Sequence, residues 1–169
     1  MKLFKKFAAA VLVAALALMM VGCDGSFGVS KADKQKADKQ SEQVVNLINE
    51  VRTENGLKAL KTNPAATDVA VKMADLYVKM HEREIAYEEY KTGREALRNI
   101  QVEGKPYIDS ESLVDKFSCI HLLSKETWTE RYTDNEYKDE IAFAPQAEYI
   151  GVAIRNRGDA RMVAVIIVY

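Results

Sequence analysis

Histidine and cysteine are the side chains in this sequence best suited to nucleophilic, acid–base or metal chemistry, and there are two of each. His81 ends an apolar helical stripe, and His121 lies in "SCIHLL", two residues after Cys119. A strand would place Cys119 and His121 on one face, where they could form a thiolate–imidazole pair. Cysteine is among the most buried residue types, however, so packing is the favoured interpretation of both residues. The sequence has no glycine-rich phosphate loop and no nucleophile-elbow serine.

Cys23 follows an N-terminal segment that is typical of exported proteins. Three lysines within the first six residues precede an apolar run, Phe7–Val21. That run of about 15 residues is shorter than the roughly 20 that a spanning helix needs. The ending "MMVGC" resembles a bacterial lipobox, which implies a signal peptide over residues 1–22 and a diacylglycerol thioether on Cys23. An ordinary signal peptide or an uncleaved anchor is the alternative. The predicted location is therefore extracytoplasmic, with the membrane as a partner through the lipid.

The segment after this cysteine predicts a tether. "KADKQKADKQ", Lys31–Gln40, is a pentapeptide written twice, with no apolar residue larger than alanine. Such a tract cannot bury enough surface to offset its ordering entropy. Residues 23–40 are therefore interpreted as a flexible tether reaching roughly 20–25 Å. Because alanine, lysine and glutamine tolerate helix, an extension of the first helix is the alternative.

Residues 41–169 are of the size of one domain. The chain has 24 basic and 25 acidic residues, and removing the three N-terminal lysines leaves 21 against 25. No basic stripe indicates nucleic acid as a partner. Cys119 is the one cysteine after Cys23, which excludes an intrachain disulfide in the mature domain and a cysteine-based zinc cluster.

Two helices open this domain. Ser41 is the predicted cap of the first, and Asn55-Gly56 its predicted end. Asn63 and Pro64 suit the cap and first position of a second helix, which can run on to Gly93. The apolar face of the first helix is Val44, Val45, Ile48 and Val51; that of the second is Ala66, Val69, Ala70, Met73, Tyr77 and Met80.

The end of the chain predicts a buried sheet. "EYIGVAIR" and "RMVAVIIVY" are β-rich runs joined by "NRGDA". Every residue of Met162–Val168 is apolar, whereas a strand with one buried face should alternate. Both faces should therefore be covered by the earlier helices. The predicted fold class is α+β, a three-layer α/β/α sandwich with a mostly antiparallel central sheet.

The phrase "LINEVRTENGLKALKTNPAATDVAVKMA" resembles the opening of the CAP (SCP-like) superfamily, which includes cysteine-rich secretory, venom-antigen and pathogenesis-related proteins. "YIGVAI" resembles a strand of the same family. The resemblance covers Val44 to Tyr169 and implies an α/β/α sandwich, in agreement with the residue pattern.

The resemblance also implies a cleft, in which many members present two histidines and one or two glutamates to a divalent metal. Here Glu88 lies five residues before Gly93, where the first histidine is usual. Asp134, six residues after Trp128, occupies the place of the second histidine, and Glu111 matches the family's glutamate. His81 is the alternative first histidine if the loop is realigned. A set of His81, His121 and Glu111 would bind metal or supply a general base if the fold brought the three together.

Replacing imidazole by carboxylate changes the expected chemistry. Two imidazoles and a carboxylate suit zinc-like metals, whereas three carboxylates suit at most Ca²⁺ or Mg²⁺. The favoured interpretation is that Glu88 and Asp134 are surface residues, with no metal or other cofactor. The expected function is non-catalytic binding of an envelope lipid, glycan or protein. The alternative is a metal-assisted hydrolase of cell-wall or peptide substrates that uses His81 and Glu111.

Overall fold

The computed structural model describes residues 31–115, 121–133, 141–156 and 162–169. The predictions for Cys23, Cys119 and Asp134 lie outside these residues. The chain divides into two compact units, Met1–Lys34 and Gln35–Tyr169. The elements, in chain order, are helix α1 (Lys31–Glu54), strand β1 (Lys61–Thr62), helix α2 (Pro64–His81), helix α3 (Tyr87–Arg98), strand β2 (Asp109–Asp115), a 3₁₀ turn (His121–Leu123), helix α4 (Lys125–Thr133), a second 3₁₀ turn (Ile141–Phe143), strand β3 (Tyr149–Asn156) and strand β4 (Met162–Val168).

The sheet is mixed and has the strand order β1-β3-β4-β2. Strand β4 is central and pairs antiparallel with β3 and with β2. The short strand β1 pairs parallel with β3 instead, Lys61 with Tyr149 and Thr62 with Ile150. A parallel neighbour needs a long crossover connection, and helices α2 and α3 lie in the chain between these two strands. The prediction of a mostly antiparallel sheet therefore needs this one correction.

Both faces of the sheet are covered, which confirms the three-layer α/β/α sandwich. Val165 and Ile166 are both 0% exposed and belong to different hydrophobic clusters. The Ile166 cluster, which we call the first face, packs helix α1 and Trp128 against the sheet. The Val165 cluster, the second face, packs α2 and the end of α3. Uninterrupted apolar sequence in β4 thus reflects burial on two sides.

Helix α1 begins earlier than predicted. It includes the whole repeat Lys31–Gln40, which is the helical alternative that the composition left open. Ser41 is not its cap, because the Ser41 hydroxyl donates 2.9 Å back to the carbonyl of Ala37 inside the helix. Ala37 packs against the first face, so the second half of the repeat has apolar contact to stabilise it. None of the described helices is long and apolar enough to span a membrane.

The helix ends show which local signals were decisive. Gly56 has φ of +77° just after α1, and the Asn63 side chain accepts hydrogen bonds from the first turn of α2, which confirms both predictions. Helix α2 does not continue to Gly93, however. It ends at His81, and Arg83 follows with φ of +61°. The amides of Arg83 and Glu84 bond back to the carbonyls of Met80 and Lys79, which is a Schellman ending with arginine where glycine is usual.

Candidate functional site

The family-like opening phrase positions the chain after α1. Asn49 forms two hydrogen bonds with the backbone of Leu60: Nδ2 donates to the carbonyl (2.9 Å), and Oδ1 accepts from the amide (2.7 Å). These bonds fix the chain just before β1 begins. The role of Asn49 in this structure is to hold the backbone rather than to contact a ligand.

Arg52 also holds the backbone in place, and it joins segments that are far apart in the sequence. It is 0% exposed, and its Nε donates to the carbonyl of Lys58 (2.8 Å). Its Nη1 donates to the carbonyls of Ala142 (2.9 Å) and Ala144 (3.2 Å), about 90 residues away in the sequence. Burial lowers the pKa of this guanidinium. A buried cation that is bonded to backbone carbonyls stabilises the fold through those bonds.

His81 and three tyrosines form a row of contacting rings, which we call the aromatic ridge. The ring centroids of Tyr77 and His81 lie 4.3 Å apart, one helical turn along α2. Tyr77 contacts Tyr90 of α3 edge-on at 6.4 Å, and Tyr90 contacts Tyr87 at 6.1 Å. Tyr90 is buried, while Tyr87 is 64% exposed. The ridge therefore runs across the junction of α2 and α3, and its two end residues, His81 and Tyr87, are exposed.

Glu88 follows Tyr87 of this ridge in the first turn of α3. Its side chain is exposed, as is that of Glu89. Helix α3 has Ala86 at its N-cap, so no side chain bonds its first amides. Carboxylates are favourable at a helix N-terminus, because they face the positive end of the helix dipole. This accounts for two glutamates here without requiring a metal.

The two histidines belong to different layers. His81 stacks on Tyr77, which packs against the second face of the sheet. His121 is exposed and opens a 3₁₀ turn whose next residue, Leu122, is buried in the first face. Glu111 is a residue of β2, with its backbone paired with Ile166 of β4. The structure thus associates His81 with the second face through Tyr77, and His121 with the first face through Leu122.

Across the described ranges, no three histidine, cysteine, aspartate or glutamate side chains are grouped closely enough to hold an ion. For Glu111 the structure describes the backbone alone, and Asp134 lies outside the described residues. The three remaining described candidates, His81, Glu88 and His121, are all exposed.

A buried polar cluster lies against the second face. The rings of Tyr107 and Tyr169 meet edge-on at 5.6 Å, and the guanidinium of Arg98 lies 5.9 Å from the Tyr107 ring centre. Arg98 also forms a 3.3 Å ion pair with Asp109. Within the described part of the chain, the buried hydroxyl of Tyr169 has no hydrogen-bond partner, whereas Arg98 and Ser110 interact with the hydroxyl of Tyr107. Both hydroxyls are closed to solvent, so this cluster concerns stability more than ligand binding.

Tyr169 should make the protein sensitive to alkali. Burial, with a smaller effect of Tyr107, raises the pKa of Tyr169 to about 12, against about 10 in an unfolded chain. Between pH 10 and 12 the unfolded chain releases this proton while the folded protein keeps it. The free energy of unfolding should therefore be unaffected below pH 10 and fall by about 2–3 kcal/mol as the pH rises to 12.

Tyr169→Phe tests this expectation. In this variant the free energy of unfolding should no longer show the fall above pH 10 that is due to Tyr169, as measured by urea unfolding at pH 7, 10 and 11.5. At pH 7 it should be as stable as the wild type or about 1 kcal/mol more stable, because a buried hydroxyl without a partner is removed. Tyr87→Phe, at an exposed position, is the control. An alkaline decline that is identical in Tyr169→Phe and the wild type would contradict the assignment.

The sequence offered one usable signal for the ridge, namely Tyr77 and His81 at i and i+4 on a predicted helix. Tyr87 and Tyr90 were visible only as tyrosines scattered over the middle of the chain. Their contact with Tyr77 depends on where α2 ends, and that position was predicted incorrectly.

The layer order and the opening phrase together define a three-layer domain of the kind that the CAP resemblance implies. Comparison with known proteins supports this fold. No family model matches the sequence, and no curated protein is significantly similar to it.

Solved structures do match. The CAP domain of enterococcal PrgA superposes with a TM-score of 0.53 at 15% identity, over 83% of this chain and 62% of that one. An outer surface protein from Borrelia burgdorferi gives 0.50 at 13% identity, over 77% and 91%. A cysteine-rich secretory protein from Staphylococcus aureus gives 0.46 at 14% identity, over 78% and 39%. This chain therefore spans less than two thirds of the PrgA domain and of the Staphylococcus aureus protein. The protein has the CAP superfamily fold.

Proposed function

We propose that the protein is an exported lipoprotein, anchored through Cys23, whose CAP domain binds a component of the cell envelope without catalysing a reaction on it. Support for the location comes from the lipobox-like "MMVGC" and from the likeness to an outer surface protein. Support for the domain comes from the fold. The membrane is the partner through the lipid, and an envelope lipid, glycan or protein is the partner through the domain.

The separation of the histidines carries the proposal of binding without catalysis. The family's metal cleft needs two imidazoles in one place, whereas here His81 stacks on Tyr77 of the second face and His121 precedes Leu122 of the first face. His81 is stacked on Tyr77, which makes it part of an aromatic surface. Carboxylates at Glu88, Glu111 and Asp134 stand where the resemblance places cleft residues, and without imidazoles they suit a hard cation at most.

The anchor is tested by detergent partitioning. Wild-type protein expressed in a bacterial host should enter the detergent phase, and its mass should include the acyl chains, since two or more chains hold a protein stably on a membrane. Cys23→Ala should move to the aqueous phase and lose that added mass. Cys119→Ala, which changes the other cysteine, is the matched control. A Cys23→Ala protein that still partitions with detergent would contradict lipid anchoring.

The absence of catalysis is tested with protein purified without chelator. We expect metal well below one equivalent by elemental analysis, both in the wild type and in a variant with Glu88, Glu111 and Asp134 replaced together by alanine. One equivalent of zinc that is lost in His81→Ala would instead establish the hydrolase alternative. So would hydrolysis of cell-wall material that the triple variant cannot perform.

A further inference from the structure

We infer that the aromatic ridge is a carbohydrate-binding platform, on which the exposed face of Tyr87 stacks against a sugar ring of an envelope glycan. This inference rests on the proposed function, because it names the ligand class and the surface for the binding role proposed above. The surface consists of Tyr77, His81, Tyr87 and Tyr90, and Glu88 and Glu89 follow Tyr87 in the first turn of α3.

Rigid support is the first reason. Tyr87 is 64% exposed, yet its ring is not isolated, because it contacts the buried Tyr90 at 6.1 Å. Tyr90 in turn contacts Tyr77, which packs against the second face of the sheet. An exposed ring on a continuous aromatic base offers a large contact area at little cost in conformational entropy. This is the arrangement that a stacking platform requires.

The second reason is the chemistry around the ring. A pyranose with equatorial hydroxyls has faces that carry only C–H groups, and these hydrogens are attracted to the negative face of an aromatic ring. Its edge carries hydroxyls, which need both acceptors and donors. Glu88 and Glu89 are exposed, and neither carboxylate forms an ion pair or hydrogen bond within the described residues. The first amides of α3, which no side chain caps, are donors at the same end of the helix.

Other ligands fit the ridge less well. A quaternary ammonium group is held in an open cage of rings, but the centroid distances of 4.3, 6.1 and 6.4 Å show rings in contact with each other. An acyl chain needs an enclosed apolar groove, whereas Tyr87 is exposed and followed at once by two glutamates. An exposed ring in the same helical turn as two exposed carboxylates is better matched to a sugar.

The turn that joins His81 to Tyr87 adds a further observation. Arg83 occupies the left-handed position of the Schellman ending, with φ of +61°. Glycine adopts this conformation without steric strain, whereas the Cβ of arginine is crowded in it. Strained residues of this kind concentrate at ligand-binding sites, where the side chain has a use that offsets the strain. Here the strained residue is next to the ridge and presents an exposed guanidinium.

The test uses the full chain in detergent and two defined probes, cellotetraose and chitotetraose, which are β-linked gluco-configured oligosaccharides. Binding is followed by calorimetry. We expect at least one probe to bind, and Tyr87→Ala to weaken binding at least tenfold, while Tyr87→Phe retains it because the ring face is kept. Glu88→Gln should weaken binding severalfold, and Glu95→Gln, at an exposed position further along α3, is its matched control.

Two outcomes would overturn the inference. One is a folded wild-type protein that binds neither oligosaccharide. The other is a Tyr87→Ala variant that binds as tightly as the wild type. Phosphatidylglycerol vesicles and tetramethylammonium are run in parallel on the Cys23→Ala chain, which removes the anchor. Vesicle binding without sugar binding would contradict the carbohydrate platform but would still agree with the proposed envelope-binding function.

Discussion

Gly151→Ala is expected to unfold the domain or to destabilise it by more than about 3 kcal/mol, at or beyond the upper end of the usual cost of overpacking. A Cβ at this position would lie 2.2 Å from the carbonyl carbon and oxygen of Ala66 and 2.5 Å from the amide nitrogen of Thr67. These are backbone atoms in the first turn of α2, and they cannot rotate away. Either α2 must move off β3, or the strand must bend and lose its pairing with β4.

The measurement is urea or thermal unfolding followed by circular dichroism. Gly93→Ala is the matched control, because its added Cβ would meet the Leu76 side chain at 2.9 Å, and a flexible side chain can shift. We expect the control to lose clearly less stability than Gly151→Ala. Equal losses in the two variants, or a Gly151→Ala midpoint like that of the wild type, would show that α2 can retreat without penalty. The glycine in "YIGVAI" would then need another explanation.

The sequence predicted those parts of the fold that depend on local chemistry. Asn63 and Pro64 begin α2 as expected, since a short acceptor side chain and a residue without an N–H suit these positions wherever the chain goes. The apolar run of β4 predicted burial on two faces, because burial of both faces removes the alternation of polar residues. The CAP fold followed from these elements together with the opening phrase.

The parts predicted incorrectly depend on contacts that are distant in the sequence or on a rarely used conformation. Ser41 is a good cap by type, but the preceding repeat is helical and Ala37 finds apolar contact on the first face. Arginine seldom adopts positive φ, so nothing in "HEREIAYEE" marked Arg83 as the end of α2. The aromatic ridge depends on that end, because only the break brings Tyr90 of α3 beside Tyr77 of α2. The candidate site was therefore less predictable than the fold.

Arg52→Met is expected to destabilise the protein by about 2–4 kcal/mol, although methionine fills similar space. The cost arises because the carbonyl of Ala142, a residue that is 0% exposed, loses its donor, and an unsatisfied buried acceptor costs about 1–3 kcal/mol. The carbonyls of Lys58 and Ala144 also lose a partner, but the less buried surroundings allow water to replace part of the loss. Arg52→Lys should recover only part of the lost stability. The lysine ammonium can still donate to a carbonyl, but it reaches fewer carbonyls than the planar guanidinium.

Denaturant unfolding of the two variants, with Arg94→Met as a control on α3, separates two explanations of the opening phrase. If Arg52 holds the 3₁₀ turn Ile141–Phe143 against the end of α1, stability falls in Arg52→Met, falls less in Arg52→Lys and is nearly unchanged in Arg94→Met. Binding of the oligosaccharide probes should survive in whatever fraction remains folded, since the ridge lies on the other side of the sheet. If Arg52→Met is as stable as the wild type but binds neither oligosaccharide, the segment "NEVRTENG" forms part of a binding site on the first face. Tyr87 would then not be the principal binding residue.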